Sequence, residues 1–222
     1  WHYRGVHSKN QLQDVQATSI QYTPNYGKKR TLKKPLLIYG SSTFSNIVVE
    51  LATLLDYSIA GFIDDYAPSA ANIFSSECAF ARFTPREFGI ALAVGYKDLP
   101  KRKLLLVDIL ERGFDMPNLI HPTSYISKSA VIGVGNIVMA NVVVDSFAVI
   151  KDGCVLWPQA ALNHHSLINS NTFCSPASVV CGNAEVGHSS FLGASSVVVD
   201  GALLPPNSFV KMNTSYSRRR NP

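Results

Sequence analysis

From Ile120 onward every sixth residue is aliphatic or cysteine: Ile120, Ile126, Ile132, Val138, Val144, Ile150, Leu156, Leu162, Ile168, Cys174, Val180, Val186, Leu192, Val198, Leu204 and Val210. All 16 positions are apolar with no insertion, and against a 46% hydrophobic background such a run has a chance probability on the order of 10⁻⁵. Four residues beyond most of them stands a small side chain, as at Ser124, Ala130, Ala148, Cys154, Ala160, Ser166, Ser178, Ala184, Ser196 and Ala202. One aliphatic and one small inward position per six residues dictates a parallel β-helix of triangular section, each repeat being a short strand plus a corner too tight for a large side chain. Three repeats close one coil, so the 15 repeats from 120 to 209 make five coils, a prism about 24 Å long at about 4.8 Å per coil.

The residue before each aliphatic position points outward, yet it too is mostly apolar: Val131, Ile137, Val143, Val149, Val155, Leu167, Phe173, Val179, Phe191, Val197, Leu203 and Phe209. Strand propensity explains part of this. Contiguous apolar surface on a soluble prism also predicts cover by copies of itself, and a triangular object suits cyclic symmetry, so a homotrimer is expected.

Upstream of the repeat the pattern is different. Pro35–Tyr39 is a strand-like run ending in Gly40-Ser41-Ser42, and Asn46–Tyr57 carries apolar residues at helical spacing. Ser58–Ile63 followed by Asp64-Asp65 reads as a second strand, Phe88–Val94 ending at Gly95 as a third, and Lys97–Arg112 as a helix stopped by Gly113. Alternating strands and helices imply a small Rossmann-like parallel α/β domain, whose ligands sit beyond the carboxyl ends of the strands. The expected organisation is a basic tail over 1–34, the α/β domain over 35–118, the β-helix over 119–214 and a basic tail over 215–222.

Charge follows this division. The formal +5 comes from the two ends, Arg4, Lys9, Lys28, Lys29, Arg30, Lys33 and Lys34 at one and Arg218–Arg220 at the other, while 35–217 has 10 basic and 14 acidic residues. With the basic residues confined to the two ends, the overall charge is no evidence that the fold binds a nucleic acid. Cys78, Cys154, Cys174 and Cys181 form no C-x-x-C pair, so buried thiols in a reducing compartment are expected. With no apolar run near the roughly 18 residues that span a bilayer and no signal-peptide pattern, the expected location is the cytoplasm, without a membrane span.

A β-helix has no cleft of its own, so chemistry must sit on outward corner residues. His164 and His165 occupy such a corner, with Ser146 and Phe147 one coil to one side, Gly182 and Asn183 one coil to the other, and Asp200 and Gly201 one coil further. They are either two surface histidines at a turn or a general base whose ordinary pKa lies near working pH. Histidines two coils apart, as a zinc site would need, are absent: the positions 36 residues on are Asp200 and Gly201, and no metal is expected.

Leu37-Ile38-Tyr39-Gly40, Gly61–Asp65, Ala93-Val94-Gly95, Leu119-Ile120-His121-Pro122, Asn163-His164-His165, Cys181-Gly182-Asn183 and Leu192-Gly193-Ala194 together resemble the bacterial nucleotide-sugar and sialic-acid acetyltransferases of the NeuD/PglD type. The resemblance implies a left-handed β-helix and an acyl-CoA, acetyl-CoA first, in the groove between subunits. It implies His164 as the base that deprotonates the acceptor, with His165 and Asn183 beside it, and Phe173, Gly182, Ala194 and Met212 at the acyl-CoA positions. Gly40, Ser41, Ser42, Asp64, Asp65, Gly95 and Tyr96 would line the site for a nucleotide sugar. Four places depart from the family: Ser42-Thr43-Phe44 replaces a glycine-glycine-histidine run, His165 a carboxylate, Phe173 a histidine, and Met212 a glycine near the C-terminal end. The implied function is N-acylation of a nucleotide-linked deoxyamino sugar for cell-surface polysaccharide. O-acetylation of a sialic-acid-like or glycan hydroxyl is the alternative within the class, and a catalytically silent trimeric scaffold the alternative outside it.

Overall fold

A computed structural model of the chain describes residues 20–21, 33–67 and 72–218. The α/β domain runs β1 (Leu36–Tyr39), α1 (Thr43–Leu54), β2 (Ile59–Ile63), β3 (Ile73–Phe74), α2 (Ser76–Arg82), β4 (Gly89–Leu92) and α3 (Leu99–Glu111). Its sheet is parallel in the order β3–β2–β1–β4, with β1 buried in the middle. The helix expected over 46–57 begins three residues earlier, because Ser42 lies in the extended region that starts a helix, and it ends before Asp56, whose φ is 60°. β3 and α2 were not expected from the sequence. They are short, and α2 is set by a local signal, the Ser75 hydroxyl accepting from Cys78 N at 3.2 Å. A turn of 3₁₀ helix at Tyr96–Asp98 opens α3, which Asp98 caps by accepting from Lys101 N at 2.9 Å.

The solenoid has three parallel sheets that take strands in rotation. Face one carries Leu119, Ile137, Val155, Phe173, Phe191 and Phe209; face two carries Tyr125, Val143, Ala161, Val179, Val197 and Ser215; face three carries Val131, Val149, Leu167, Glu185 and Leu203. Pairing joins residues 18 apart throughout, as in Val155 with Phe173. The aliphatic row predicted from the sixfold repeat forms one continuous buried core from Ile120 to Val210. Each such side chain contributes about 1.5–3 kcal/mol. The final ladder, Ser215–Tyr216, carries the solenoid past residue 214.

The corners repeat as strictly as the core. From Gly135 to Asn213 every sixth residue lies in the left-handed region, with φ between 54° and 68°. Five of these positions are Asn and three are Gly, the residues that tolerate it best. His165 (φ 58°) and Phe147 (φ 60°) hold two of the others, so their backbone conformation belongs to the fold and marks no special strain at the histidines.

Face one is covered by the chain's own α/β domain. Ile137, Val155 and Phe173 are buried in one cluster with Leu36, Phe44, Val48, Leu51 and Leu99. On this face the apolar outward row is therefore met by the chain's own α/β domain as far as Phe173, while Phe209 at its end stays exposed. Faces two and three keep their outward residues half-buried or exposed, with Tyr125 and Val143 among the exposed. The corner between faces three and one is also engaged, and the bond there is Arg102 from α3. Its side chain is 0% exposed and donates to Val94 O (2.9 Å), Gly153 O (2.7 Å) and Asn171 Oδ1 (2.7 Å), with Phe173 under the guanidinium at 5.2 Å. Burial pulls its pKa down to about 10.

Within the expected N-terminal tail, Ile20–Gln21 forms a short antiparallel strand against Val131–Ile132, the first strand of face three, and so caps a sheet edge. The rest of 1–32 and the arginines at 219 and 220 lie outside the described residues. All four cysteines are free. Cys154 and Cys174 are buried as expected, but Cys78 is exposed on α2 and Cys181 half-buried. Among the described residues no helix is long and apolar enough to cross a membrane.

Candidate active site

At the carboxyl ends of β1, β2 and β4 lies a cavity of about 290 Å³ lined by Gly40, Ser41, Ser42, Asp64, Asp65 and Gly95, together with Tyr39, Tyr66, Asp98 and Lys101. Gly40 makes it possible. Its φ is 112°, and a Cβ there would lie 2.8 Å from Ala93 O, so only glycine lets the first turn fold tightly against the third. Ser41 donates to Asp64 Oδ2 from its backbone N–H (3.2 Å) and from its hydroxyl, and Tyr66 N donates to Asp64 Oδ1 at 2.9 Å. Burial alone would raise Asp64, but these hydrogen bonds prevail and hold it below the ordinary carboxylate range. Asp65 accepts from Ser76 N at 2.7 Å and faces Tyr39, whose hydroxyl is pushed up to about 12 by burial and by that carboxylate. Both aspartates are thus turned onto the protein, tying the strand ends together.

Two other features of the cavity favour an anion. Ser42 makes no side-chain cap on α1 and the first turn of that 12-residue helix has no acidic residue; Ser45 N donates to Ser42 O at 2.9 Å, and the N–H groups before it point toward the strand ends as an anion-seeking helix start. Lys101 is the cation among the lining residues, and it stands over the Tyr66 ring at 4.9 Å. The sequence reading missed it, taking Lys97–Arg112 only as a helix.

The histidine corner lies where face two turns into face three. Both rings are exposed, with their Nδ1 atoms 3.3 Å apart. His165 stacks on Phe147 with centroids 4.9 Å apart. The His164 ring lies over Gly182, where a Cβ would come within 2.5 Å of Cε1 and 2.7 Å of Nε2. Asn183 is in the same turn as Gly182 and donates to Asp200 Oδ1 at 3.5 Å. His164, His165, Gly182 and Asn183 therefore form one constellation, as the 18-residue stride requires.

Other expected positions fall elsewhere. Phe173 is 1% exposed, sealed under Phe44 (6.1 Å) and Tyr96 (5.8 Å) on face one, and has no surface to offer an acyl-CoA in this chain. Ala194 and Met212 stack one coil apart at the corner between faces one and two, with Asn213 N donating to Ala194 O at 3.0 Å. Tyr96 is not part of the cavity lining; it packs on Phe191 at 4.5 Å, and so belongs to the domain interface. Among the described residues no group of three metal-ligating side chains comes together.

The molecule is thus a small parallel α/β domain with a strand-end cavity, docked on a hexapeptide-repeat parallel β-helix. Residues 35–105 match the family model of the PglD N-terminal domain. The acetyltransferase domain of PglB from Neisseria gonorrhoeae is similar over 84% of this chain and 93% of its own, at 26% identity and a TM-score of 0.76. The same domain in complex with acetyl coenzyme A matches at 27% identity and a TM-score of 0.69, over 82% and 87% of the two chains. The perosamine N-acetyltransferase of Caulobacter crescentus, an H-to-N variant with CoA and GDP-perosamine bound, shares the fold at 22% identity and a TM-score of 0.65, covering 80% of this chain and 93% of that one. The chain is a sugar acyltransferase, similar in its α/β domain to the PglD N-terminal domain and over most of its length to the acetyltransferase domain of PglB.

Proposed function

We propose that this enzyme transfers an acetyl group from acetyl-CoA to the amino group of a nucleotide-linked deoxyamino sugar, with His164 as general base. In the transfer the acceptor nitrogen attacks the thioester carbon. The C–N bond forms, His164 takes the N–H proton, the C–S bond breaks, and that proton passes to the departing thiolate. No covalent enzyme intermediate is needed. A base so placed contributes about 10²- to 10⁴-fold.

The observation that carries the reading is the pairing of an anion-seeking cavity with an exposed imidazole seated over a glycine. The α1 N-terminus and Lys101 suit a phosphate, the charged part common to every nucleotide sugar. The same geometry supports assembly. The cavity belongs to a domain docked on face one, whereas His164 stands at the opposite corner of the triangle, between faces two and three. A sugar held by one copy is best served by His164 of another. In a cyclic homotrimer the acyl-CoA groove would run between the His164 corner of one prism and a neighbouring prism, where a corner such as that of Ala194 and Met212 can form its other wall.

The test follows CoA release from acetyl-CoA over a panel of nucleotide amino sugars and sialic-acid-like alcohols, with wild-type enzyme and H164A. Turnover on amines that H164A loses supports N-transfer. Turnover on alcohols alone would replace it with O-transfer, and no acetyl-CoA binding at millimolar concentration would support the silent scaffold.

A further inference from the structure

A histidine that takes a proton in a transition state works best when a carboxylate fixes its tautomer and balances the imidazolium, yet the residue after His164 is His165, which brings no negative charge. We infer that Asp200, two coils along the solenoid, is the positioning carboxylate for His164, an assignment that rests on reading His164 as the base. The link between them is the space above Gly182. A Cβ at that position would lie 2.7 Å from His164 Nε2 and 3.0 Å from Asp200 Oδ1, so the imidazole edge and the carboxylate both lie against the same point. The φ of Gly182 is not in the left-handed region, which in this turn is occupied by Asn183 at 57°. Glycine is therefore required there for room alone, and any larger residue would push into the ring and close the line to Asp200.

The neighbours set the direction of both groups. Asn183 Nδ2 donates to Asp200 Oδ1 at 3.5 Å, holding the carboxylate toward the corner. His164 Nδ1 faces His165 Nδ1 at 3.3 Å. With His164 Nδ1–H donating to His165 Nδ1, Nε2 carries the lone pair that takes the acceptor's proton, and the charge that develops is offset by the Asp200 carboxylate across the glycine gap. The other titratable groups on these four stacked turns are Asp145, His165 and Cys181. Asp145 accepts from Ser146 N at 2.6 Å, and His165 is stacked on Phe147, so Asp200 is the carboxylate oriented to His164.

Steady-state kinetics against pH on wild-type, H164A, D200N and D200E enzyme tests this, with G182A as an independent variant. D200N is expected to lower kcat by about 10- to 100-fold, a share of the about 10²–10⁴ a base contributes. Both KM values should stay unchanged, and the acid limb of the profile should move to lower pH, because loss of a nearby negative charge makes the imidazolium a stronger acid. D200E should restore much of kcat and return the limb, and G182A should lower kcat like D200N. A D200N profile with wild-type kcat and limb would overturn the assignment. So would a fall in kcat with an unmoved limb, or a rise in KM with kcat kept. Failure of the base assignment is read separately, as full turnover by H164A.

Discussion

In the α/β domain three strand ends, a helix N-terminus and a lysine converge on one cavity, and its two aspartates are already tied to neighbouring donors. At the solenoid corner the rings of His164 and His165 stand exposed, their closest partners being each other, Phe147 and the turn of Gly182. A crossing loop can wrap a ligand because several elements end in one place. A solenoid presents only rows and corners, so it must gain its second wall from another surface. On the proposed function, the comparison divides binding from chemistry, with the nucleotide held within one chain and the transfer step completed between copies.

The division predicts separable losses. H164A should lose about 10²- to 10⁴-fold in turnover while calorimetry shows unchanged affinity for the nucleoside diphosphate; a matching loss of nucleotide binding would break the comparison. R102A removes the guanidinium that joins the two regions and leaves Val94 O, Gly153 O and Asn171 Oδ1 without that donor, while Asn171 Nδ2 still donates to Leu99 O. At about 1 kcal/mol or more for each orphaned group, stability should fall by about 3 kcal/mol, and scanning calorimetry should show a Tm lower by about 6–12 °C. K101M acts on the cavity alone: it should raise KM for the nucleotide sugar by about 10-fold, as loss of one charge-assisted contact does, with KM for acetyl-CoA unchanged. The smallest effect is on thiol chemistry. Burial pushes Cys154 up to about 12 and Cys174 higher still, so iodoacetamide at pH 8 should label exposed Cys78 and leave those two until the chain unfolds.

The sequence made the solenoid legible because a repeat states the same constraint many times, and each aliphatic position from Ile120 to Val210 is where the sixfold period puts it. The left-handed corner position was equally visible, as Asn or Gly at 135, 141, 153, 171, 183, 201, 207 and 213, and was passed over because the small residue beside it repeats more plainly. The cavity was legible from Gly40, Asp64, Asp65 and Gly95, since strand ends are where such folds bind. Lys101 was not, because a lysine on an amphipathic helix looks like solvated surface until the Tyr66 loop is seen beside it. Phe173 was misplaced for a physical reason: an outward strand residue meets whatever docks on its face, and one face is covered by the chain itself. Asp200 was seen at its stride from His164 but weighed only as a metal ligand, and the role of Gly182 as the gap between them emerges only from the ring's position.

Mixing two inactive variants tests the division most directly. H164A keeps its cavity and lacks the base, whereas K101E keeps the base and sets a negative charge against the phosphate. If the cavity of one subunit serves the histidine of its neighbour, trimers reassembled from equal amounts should regain about a quarter of wild-type turnover, the share of contacts that pair an intact cavity with an intact base under random cyclic assembly. Activity no greater than the sum of the two variants alone would contradict transfer between copies and place both halves of the reaction within one chain.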